Sequence, residues 1–445
     1  MNLFPMLMAR AEAKSPIRIA QVGVGKFGTM FLAQGRMTPG IHVAGIADLD
    51  PARARQRLNE AGWEAERYAA LDLDQAFSDG STMVTEDASL LIRDPRIEIV
   101  IEATGDPATG VRIAREAFRH GKSVVMVNVE ADALVGPLLA EEARKAGVVY
   151  SLAWGDQPAL ISEHVDWART CGFEVVAAGK GTRYLPSYHG STPETVWDII
   201  SSYLKVERGK VNLQMFNSFI DGTKSAIEMT AVCNACNLMP QDGGLTFPPA
   251  TRFELADLLK PKSDGGLLDK KGVTEVVSSL YRDGQDVPHH LAMGTYVVIT
   301  SESAYARRCF GEYNTLPDKS GTYAALYRPT HMIGLELGVS VASVALRKEP
   351  TGTARVWNSD VAAIAKRALR AGETLDGEGG FTVWGRQMPA AMSHAANAMP
   401  IGLAHRVKLV RDVAEGAVIG IDDVVLDPDN AAVSARKELV ARFAG

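Results

Sequence analysis

Residues 17–22 read IRIAQV and run directly into Gly23, Gly25 and Gly28, spaced G-x-G-x-x-G, after which KFGTMFLAQGRM has helical character. No other stretch limits the fold so tightly. An apolar strand, a glycine turn and a helix make the opening of a βαβ unit. The first glycine permits the tight turn, the second lets backbone approach a pyrophosphate, and the third lets helix and strand pack closely. The helix start, with Lys26 and Phe27, presents N–H groups and a positive dipole end to phosphates. The next strand, IHVAGIA, ends at Asp48, 20 residues past Gly28, where a carboxylate accepts hydrogen bonds from a ribose. The spacing therefore predicts a dinucleotide site built from Gly23, Gly25, Lys26, Phe27, Gly28 and Asp48.

Asp48 also bears on which dinucleotide binds. A carboxylate accepts from a free 2′-hydroxyl and repels a 2′-phosphate, so NAD is favoured over NADP, although Arg53 and Arg55 in DLDPARAR are within reach of a phosphate. Ligands of open α/β sheets lie at the carboxyl ends of strands. That rule adds Thr104 and Gly105, in IEATGDP, and Asn128 and Glu130, in VMVNVEAD, to the expected lining. Ordinary turns capping helices are the competing reading of these four.

From Ile17 to about Leu152, IRIAQV, HVAGIA, IEIVIEA, SVVMVNV and GVVYSLA alternate with helical patterns, which reads as a parallel sheet in a Rossmann domain over residues 1–152. An inserted or elongated helix–strand segment is expected between Asp48 and Asp94. Residues 153–350 read as an α+β substrate domain with strand candidates FEVVAAG, VNLQMFNSFI, GTYVVITS and LGVSVASVAL, and with long Gly/Pro-rich loops suited to lids or binding. In residues 355–445 VAAIAKRALRAGETLDGEGG is echoed by HRVKLVRDVAEGAVIGIDDVVLD, each copy a strand, an AG or EG turn and a second strand. That makes a small β-rich domain. The fold class is thus α/β: a Rossmann domain, an α+β domain and a β-rich appendage.

At 445 residues the chain accommodates two or three cores. Its net charge of −6 argues against a general nucleic-acid binder and leaves small molecules as the expected partners. Four cysteines, Cys171, Cys233, Cys236 and Cys309, are too few for a disulfide framework and suit a reducing cytoplasm. MNLFPMLMA lacks a leading positive charge and is read as a short docking helix rather than a signal peptide. No apolar run approaches the roughly 18 residues of a membrane span.

With the glycine loop and VIEATG followed by MVNVEAD, AAGKGT, FIDGTKSAIEM and RPTHMIGLEL, the chain resembles the homoserine dehydrogenase-like oxidoreductases, and its C-terminal repeat resembles the SAF domain, a small β-clip module. Together they point to a branch that includes deoxyxylulose-phosphate reductoisomerase-like enzymes. The resemblance implies a hydride transfer with NAD or NADP. It also implies, for the reductoisomerase-like members, NADPH and a divalent metal. Asp48 departs from the pattern expected for NADPH, which favours an NAD-linked dehydrogenase.

Hydride transfer to a carbonyl builds negative charge on oxygen and needs a donor there. Lys180, between two glycines in VVAAGKGT, suits this; the competing reading is a solvated turn. Lys224 and Glu228, in FIDGTKSAIEM, fall four apart on one helical face, with Asp221 and Gly222 expected in a turn between a strand and that helix. A Ser225/Glu228 capping box or a surface ion pair would explain them equally. His331 is a weaker candidate beside the alternative of a hydrogen-bonded core histidine. Asp156 and Glu163 are seven apart and suit one helix face that helps hold a divalent metal, but no third ligand is identifiable by spacing, so no metal site is assigned. Cys233 and Cys236, in CNAC, lack the partners of a zinc site and are expected to be buried on a helix; His289 and His290 are likewise insufficient.

The expected activity is hydride transfer between nicotinamide and a small polar, phosphorylated or sugar-derived hydroxy or carbonyl compound, in a cytoplasmic homo-oligomer. The competing readings are metal-dependent reductoisomerisation of deoxyxylulose phosphate and a non-catalytic dinucleotide sensor.

Overall fold

A computed structural model describes residues 2–204, 207–313 and 315–444. They form two compact units: residues up to Leu160 with Met332–Arg355, and Ile161–His331 with Val356 onward.

In the first unit, β1 (Ile17–Val22), β2 (Ile41–Ala47), β3 (Met83–Thr85), β4 (Ile99–Glu102), β5 (Ser123–Met126) and β6 (Tyr150–Leu152) make one sheet in the order β3-β2-β1-β4-β5-β6. Every pairing is parallel. The order reverses direction between β1 and β4, which puts the switch point at the carboxyl end of β1, where the glycine loop starts. The segment between Asp48 and Asp94 supplies three short α-helices, a 3-10 turn and the edge strand β3. From Leu3 on, MNLFPMLMA lies in a helix, Leu3–Glu12, whose Leu3 and Leu7 enter the core with Ile17, Phe31 and Ile99.

LGVSVASVAL, expected to be a strand, is instead the helix Gly338–Arg347. Its alternating Val339 and Val341 suit a strand, but Leu337, Val341 and Val344 are spaced for one helical face, and all three are buried in the first unit's core. The chain thus leaves this unit and returns to it: Leu152 N–H donates to Gly352 O at 2.8 Å, and Thr351 N–H to Ser151 Oγ at 2.9 Å.

The second unit holds β7 (Glu174–Thr182), β8 (Val273–Ser278), β9 (Thr295–Thr300), β10 (Leu316–Pro317) and β11 (Tyr323–Arg328), in the order β10-β11-β9-β7-β8. Only β7 and β8 are parallel. VNLQMFNSFI, also expected as a strand, is the helix Leu213–Ile220; Asn212 begins it by accepting from Met215 N–H at 3.1 Å. Asp221 and Gly222 therefore join two helices. Gly222 (φ 91°) starts the helix Thr223–Cys236, in which every residue but Lys224 is buried. Enclosed all round, this helix finds partners for Thr223, Glu228, Thr230 and Asn234 in the strands packed against it.

Residues 356 onward belong to the same unit. β12 (Ser359–Ala365) pairs antiparallel with β14 (Val383–Pro389), while β13 (Thr374–Asp376), β15 (His405–Leu409) and β16 (Val424–Val425) form a three-stranded sheet in the order β13-β15-β16. The two repeats face each other: Leu369 N–H donates to Val413 O at 2.8 Å and Val413 N–H to Leu369 O at 2.9 Å, and both turns carry a left-handed glycine, Gly372 and Gly416. The helix Thr223–Cys236 is stitched to β12 and β14, with Asn234 Oδ1 accepting from Ser359 N–H at 3.0 Å and Thr223 Oγ1 from Gly385 N–H at 2.8 Å.

Candidate active site

The glycine loop has the form its spacing predicts. Gly23 sits at φ 94°, and a Cβ there would lie 2.6 Å from Ala103 O; a Cβ on Gly28 would lie 2.5 Å from Gln21 Nε2 and 2.7 Å from Gly23 O. The protein itself thus demands these two glycines. A Cβ on Gly25 would meet nothing within 4 Å. The middle glycine borders open space at the start of the helix Lys26–Gly35, whose first turn has no side-chain cap. This cradle fits a pyrophosphate, with the first-turn N–H groups of Lys26, Phe27 and Gly28 to hold it.

Asp48 is 7% exposed. Its Oδ2 accepts from Val24 N–H at 2.8 Å, and its Oδ1 from Asp50 N–H at 3.0 Å and the Arg53 guanidinium at 2.9 Å. A carboxylate offers about four acceptor positions, so room remains for a ribose hydroxyl. The carboxylate both locks the glycine loop and is partly neutralised by Arg53. Arg55 donates to the Pro51 and Val84 carbonyls.

At the end of β4, Thr104 is half-buried and Gly105 exposed at φ 74°. Asn128 is 1% exposed: its Oδ1 caps the next helix through Ala131 N–H at 3.1 Å, and its Nδ2 donates to Asp106 O at 2.9 Å. Its groups fasten the loops after β4 and β5 to each other. Glu130 follows in the first turn of the helix Val129–Lys145.

In the second unit, the Lys180 ammonium pairs with the Glu228 carboxylate, the two side chains only 5% and 3% exposed. Glu228 is thereby committed to β7 and does not form a capping box with Ser225. The glycines beside Lys180 are enforced by the sheet: a Cβ on Gly179 would lie 1.8 Å from Glu275 O, and one on Gly181 1.8 Å from Leu291 O. Register then sets a row across three strands. Lys180 opposes Thr295 on β9, and Thr295 opposes Arg328 on β11. Directly opposed residues share a face, so two cations flank a threonine at one end of the sheet.

His164, on the helix Gln157–Thr170, reaches that threonine: its Nε2 is 3.0 Å from Thr295 Oγ1. Burial, and next the positive charge of Arg328, lower its pKa to about 4, so the ring is neutral at pH 7. His331 lies at the same end, 7% exposed, with Nδ1 hydrogen-bonded to Met293 O at 2.8 Å. Lys224 stands one turn before Glu228, partly exposed. Sequence reading missed His164, Thr295 and Arg328, because no motif surrounds them and their adjacency arises from strand register alone.

Asp156 precedes its helix and accepts from Gln157 N–H at 2.9 Å, while Glu163 is exposed. Among the described residues, no group of three or more His, Cys, Asp or Glu is arranged to hold a metal ion. Cys233 and Cys236 are buried on their helix, and burial pushes the Cys233 thiol up to about 12. His289 and His290 are exposed. No helix among the described residues is long and apolar enough to cross a membrane.

Residues 17–127 match the NAD-binding Rossmann fold of an oxidoreductase family, GFO_IDH_MocA, and residues 155–337 match the catalytic domain of the oxidoreductase DRL. No protein of curated function matches the sequence. Among solved structures, a scyllo-inositol dehydrogenase from Lactobacillus casei with bound NAD(H) and scyllo-inositol is 12% identical over 76% of this chain and 92% of its own, with a TM-score of 0.37. An NAD binding oxidoreductase from Klebsiella pneumoniae is 18% identical over 40% of this chain and 47% of its own (TM-score 0.28). KijD10, a 3-ketoreductase from Actinomadura kijaniata in complex with NADP, is 18% identical over 38% and 49% (TM-score 0.27). At these scores the likenesses carry nothing about substrate.

Proposed function

We propose, from the premise that this chain is an NAD(P)-dependent oxidoreductase joining a GFO/IDH/MocA-type Rossmann domain to a DRL-type catalytic domain, that it passes a hydride between nicotinamide and a small polar hydroxy or carbonyl compound, phosphorylated or sugar-derived. The observation that carries this reading is the buried Lys180–Glu228 pair in one row with Thr295 and Arg328. Bound NAD(P) supplies or accepts the hydride. In the reducing direction Lys180 donates a proton to the oxygen that gains charge, and in the oxidising direction its neutral amine takes the proton that the hydroxyl loses. Glu228 holds the ammonium in place. Arg328 and Lys224 attract the anionic or hydroxylated part of the substrate, and His331 and His164 order the same end of the sheet. Gly23, Gly25, Lys26, Phe27, Gly28, Asp48, Thr104 and Gly105 line the cofactor site, and Asn128 shapes it from beneath.

NAD is the preferred cofactor in this reading, because Asp48 keeps acceptor capacity beside the glycine loop. The protein is further proposed to be a cytoplasmic homo-oligomer, with residues 355–445 as an SAF-like module and homoserine dehydrogenase-like chemistry. The test is a thermal-shift screen of NAD-loaded protein against hydroxy acids, amino alcohols and sugar phosphates, followed by NADH-linked assay of each hit. A screen without a hit that turns over would sink the substrate class.

The pair of cations at one sheet end also suits a phosphorylated substrate and favours one second reading, reductoisomerisation of deoxyxylulose phosphate with NADPH. Against it stands Asp48, whose carboxylate repels the 2′-phosphate of NADPH. Incubation with NADPH, manganese and deoxyxylulose phosphate separates the two, since absence of NADPH oxidation removes it.

A further inference from the structure

Glu102 ends β4 as the one charged residue of IVIE and is 0% exposed. Its Oε1 accepts from Thr104 N–H at 3.0 Å and also from the Thr104 hydroxyl. Its Oε2 has no hydrogen-bond partner among the described residues. Both Thr104 bonds fall on one oxygen. Burial first of all, against the opposing hydrogen bonds of Thr104 and Asn128, raises its pKa to about 7, and the Glu130 charge adds to the rise. Tyr150 on β6 is the other titratable group near it, with Asp132 hydrogen-bonded to Tyr150.

The surroundings give this acid a task. Asn128 Nδ2 is 3.5 Å from Thr104 Oγ1 and 2.9 Å from Asp106 O. A Cβ on Gly110 would lie 2.8 Å from Asn128 Nδ2 and 3.3 Å from Glu102 Oε2, so the helix Pro107–Arg119 is pressed onto the same two side chains. Ala103, between Glu102 and Thr104, is the residue whose carbonyl abuts Gly23. The glycine loop and the loops after β4 and β5 are therefore referenced to one point.

We propose that Glu102 is a positioning residue of the cofactor site, a buried carboxyl that fixes the Thr104–Gly105 turn and, through Asn128, the loop after β5, where the nicotinamide half of the dinucleotide lies. The inference rests on the reading of Thr104 and Gly105 as cofactor lining. It predicts a split between the two halves of the ligand. Adenosine and pyrophosphate contacts belong to the glycine loop and Asp48, whereas loss of Glu102 loosens only the far half.

The experiment titrates the full-length protein with NADH and with ADP-ribose, which lacks the nicotinamide, for wild type, Glu102→Gln, Glu102→Ala and Thr104→Val. Circular dichroism and melting follow the fold. Glu102→Ala is expected to weaken NADH at least tenfold and ADP-ribose less than twofold. Thr104→Val, which keeps shape but loses the hydroxyl, should weaken NADH threefold or more. Glu102→Gln keeps a neutral acceptor for Thr104 and should stay within threefold of wild type. Equal weakening of both ligands by Thr104→Val or Glu102→Ala would mark a merely structural role and overturn the proposal, as would unchanged NADH affinity in Thr104→Val, even if Glu102→Ala fails to fold. If wild type binds ADP-ribose but Thr104→Val and Glu102→Ala leave NADH untouched, only this inference falls; if wild type binds neither ligand, the cofactor-site reading falls with it.

Discussion

The Lys180 ammonium meets the Glu228 carboxylate inside the second unit, from a strand and a helix whose residues are otherwise almost wholly enclosed. Removing one partner leaves the other charged and buried, at a cost of about 3–5 kcal/mol. Lys180→Ala should therefore melt well below wild type. The double variant Lys180→Met/Glu228→Gln should recover most of that stability while turnover stays down by about 10²–10⁴-fold, the size of a lost proton donor. Melting curves and kcat on the substrate found by screening decide this. A double variant that is stable and active would remove Lys180 from the chemistry.

The three glycines of the first loop should behave differently when a methyl group is added. Gly28→Ala drives a Cβ into Gln21 and the Gly23 carbonyl, so a loss of about 1–3 kcal/mol is expected from overpacking. Gly25→Ala meets no protein atom. Its melting temperature without cofactor should match wild type, while NADH affinity falls about tenfold or more because the methyl occupies the pyrophosphate's approach. Equal NADH affinity in Gly25→Ala would place the ligand elsewhere.

In the proposed cofactor site, Asp48 and Arg53 would set opposing preferences on the adenosine ribose. Asp48→Ser should weaken NADH and improve NADPH, moving the affinity ratio by about tenfold or more, the equivalent of one charge-assisted hydrogen bond. Arg53→Ala removes the guanidinium 2.9 Å from that carboxylate and should sharpen the preference for NADH. Fluorescence titration with both cofactors measures each ratio. A ratio unmoved by Asp48→Ser would mean that Asp48 serves only Val24 and Arg53.

Two buried acids give the first unit a pH signature. Burial raises Glu102 to about 7, against its Thr104 hydrogen bonds and aided by Glu130, and raises Asp132 to about 7 against its hydrogen bond from Tyr150. In the unfolded chain both titrate near ordinary carboxylate values. Between those values and 7 the native state holds the extra protons, so stability is greatest below the unfolded pKa and falls as pH rises through 7. Each acid contributes a loss on the order of a few kcal/mol. Glu102→Gln and Asp132→Asn should each flatten the decline in melting temperature between pH 5 and pH 8 relative to wild type. Parallel curves for all three proteins would contradict the assignment.

The sequence carried the parts of this architecture that local pattern encodes. Gly23, Gly25, Gly28 and Asp48 were legible because turn, strand end and helix start are each written within a few residues. Two apolar runs, VNLQMFNSFI and LGVSVASVAL, read as strands and are helices, since β-branched and aromatic content mimics a strand where burial decides the outcome. Lys180 and Glu228 were each identified, but their pairing was not, because Glu228 had a nearer and equally plausible partner in Lys224. Thr295, Arg328 and His164 come together only once β9 and β11 pair, and pairing partners are not written in either strand. Glu102 left one trace, a lone acid closing an apolar strand just before the IEATGDP turn.

The helix Gly338–Arg347 supplies Leu337, Val341 and Val344 to a core whose first strand begins at Ile17. During synthesis the nucleotide-binding half emerges with that part of its interior missing, and stays so until nearly the whole intervening segment has been made. A fragment ending at residue 160 should accordingly be sticky and poorly soluble, and fusing residues 332–355 to it through a short linker should rescue it. The order of translation and the order of completion are reversed in this chain, with the half that starts first waiting on residues made long after it.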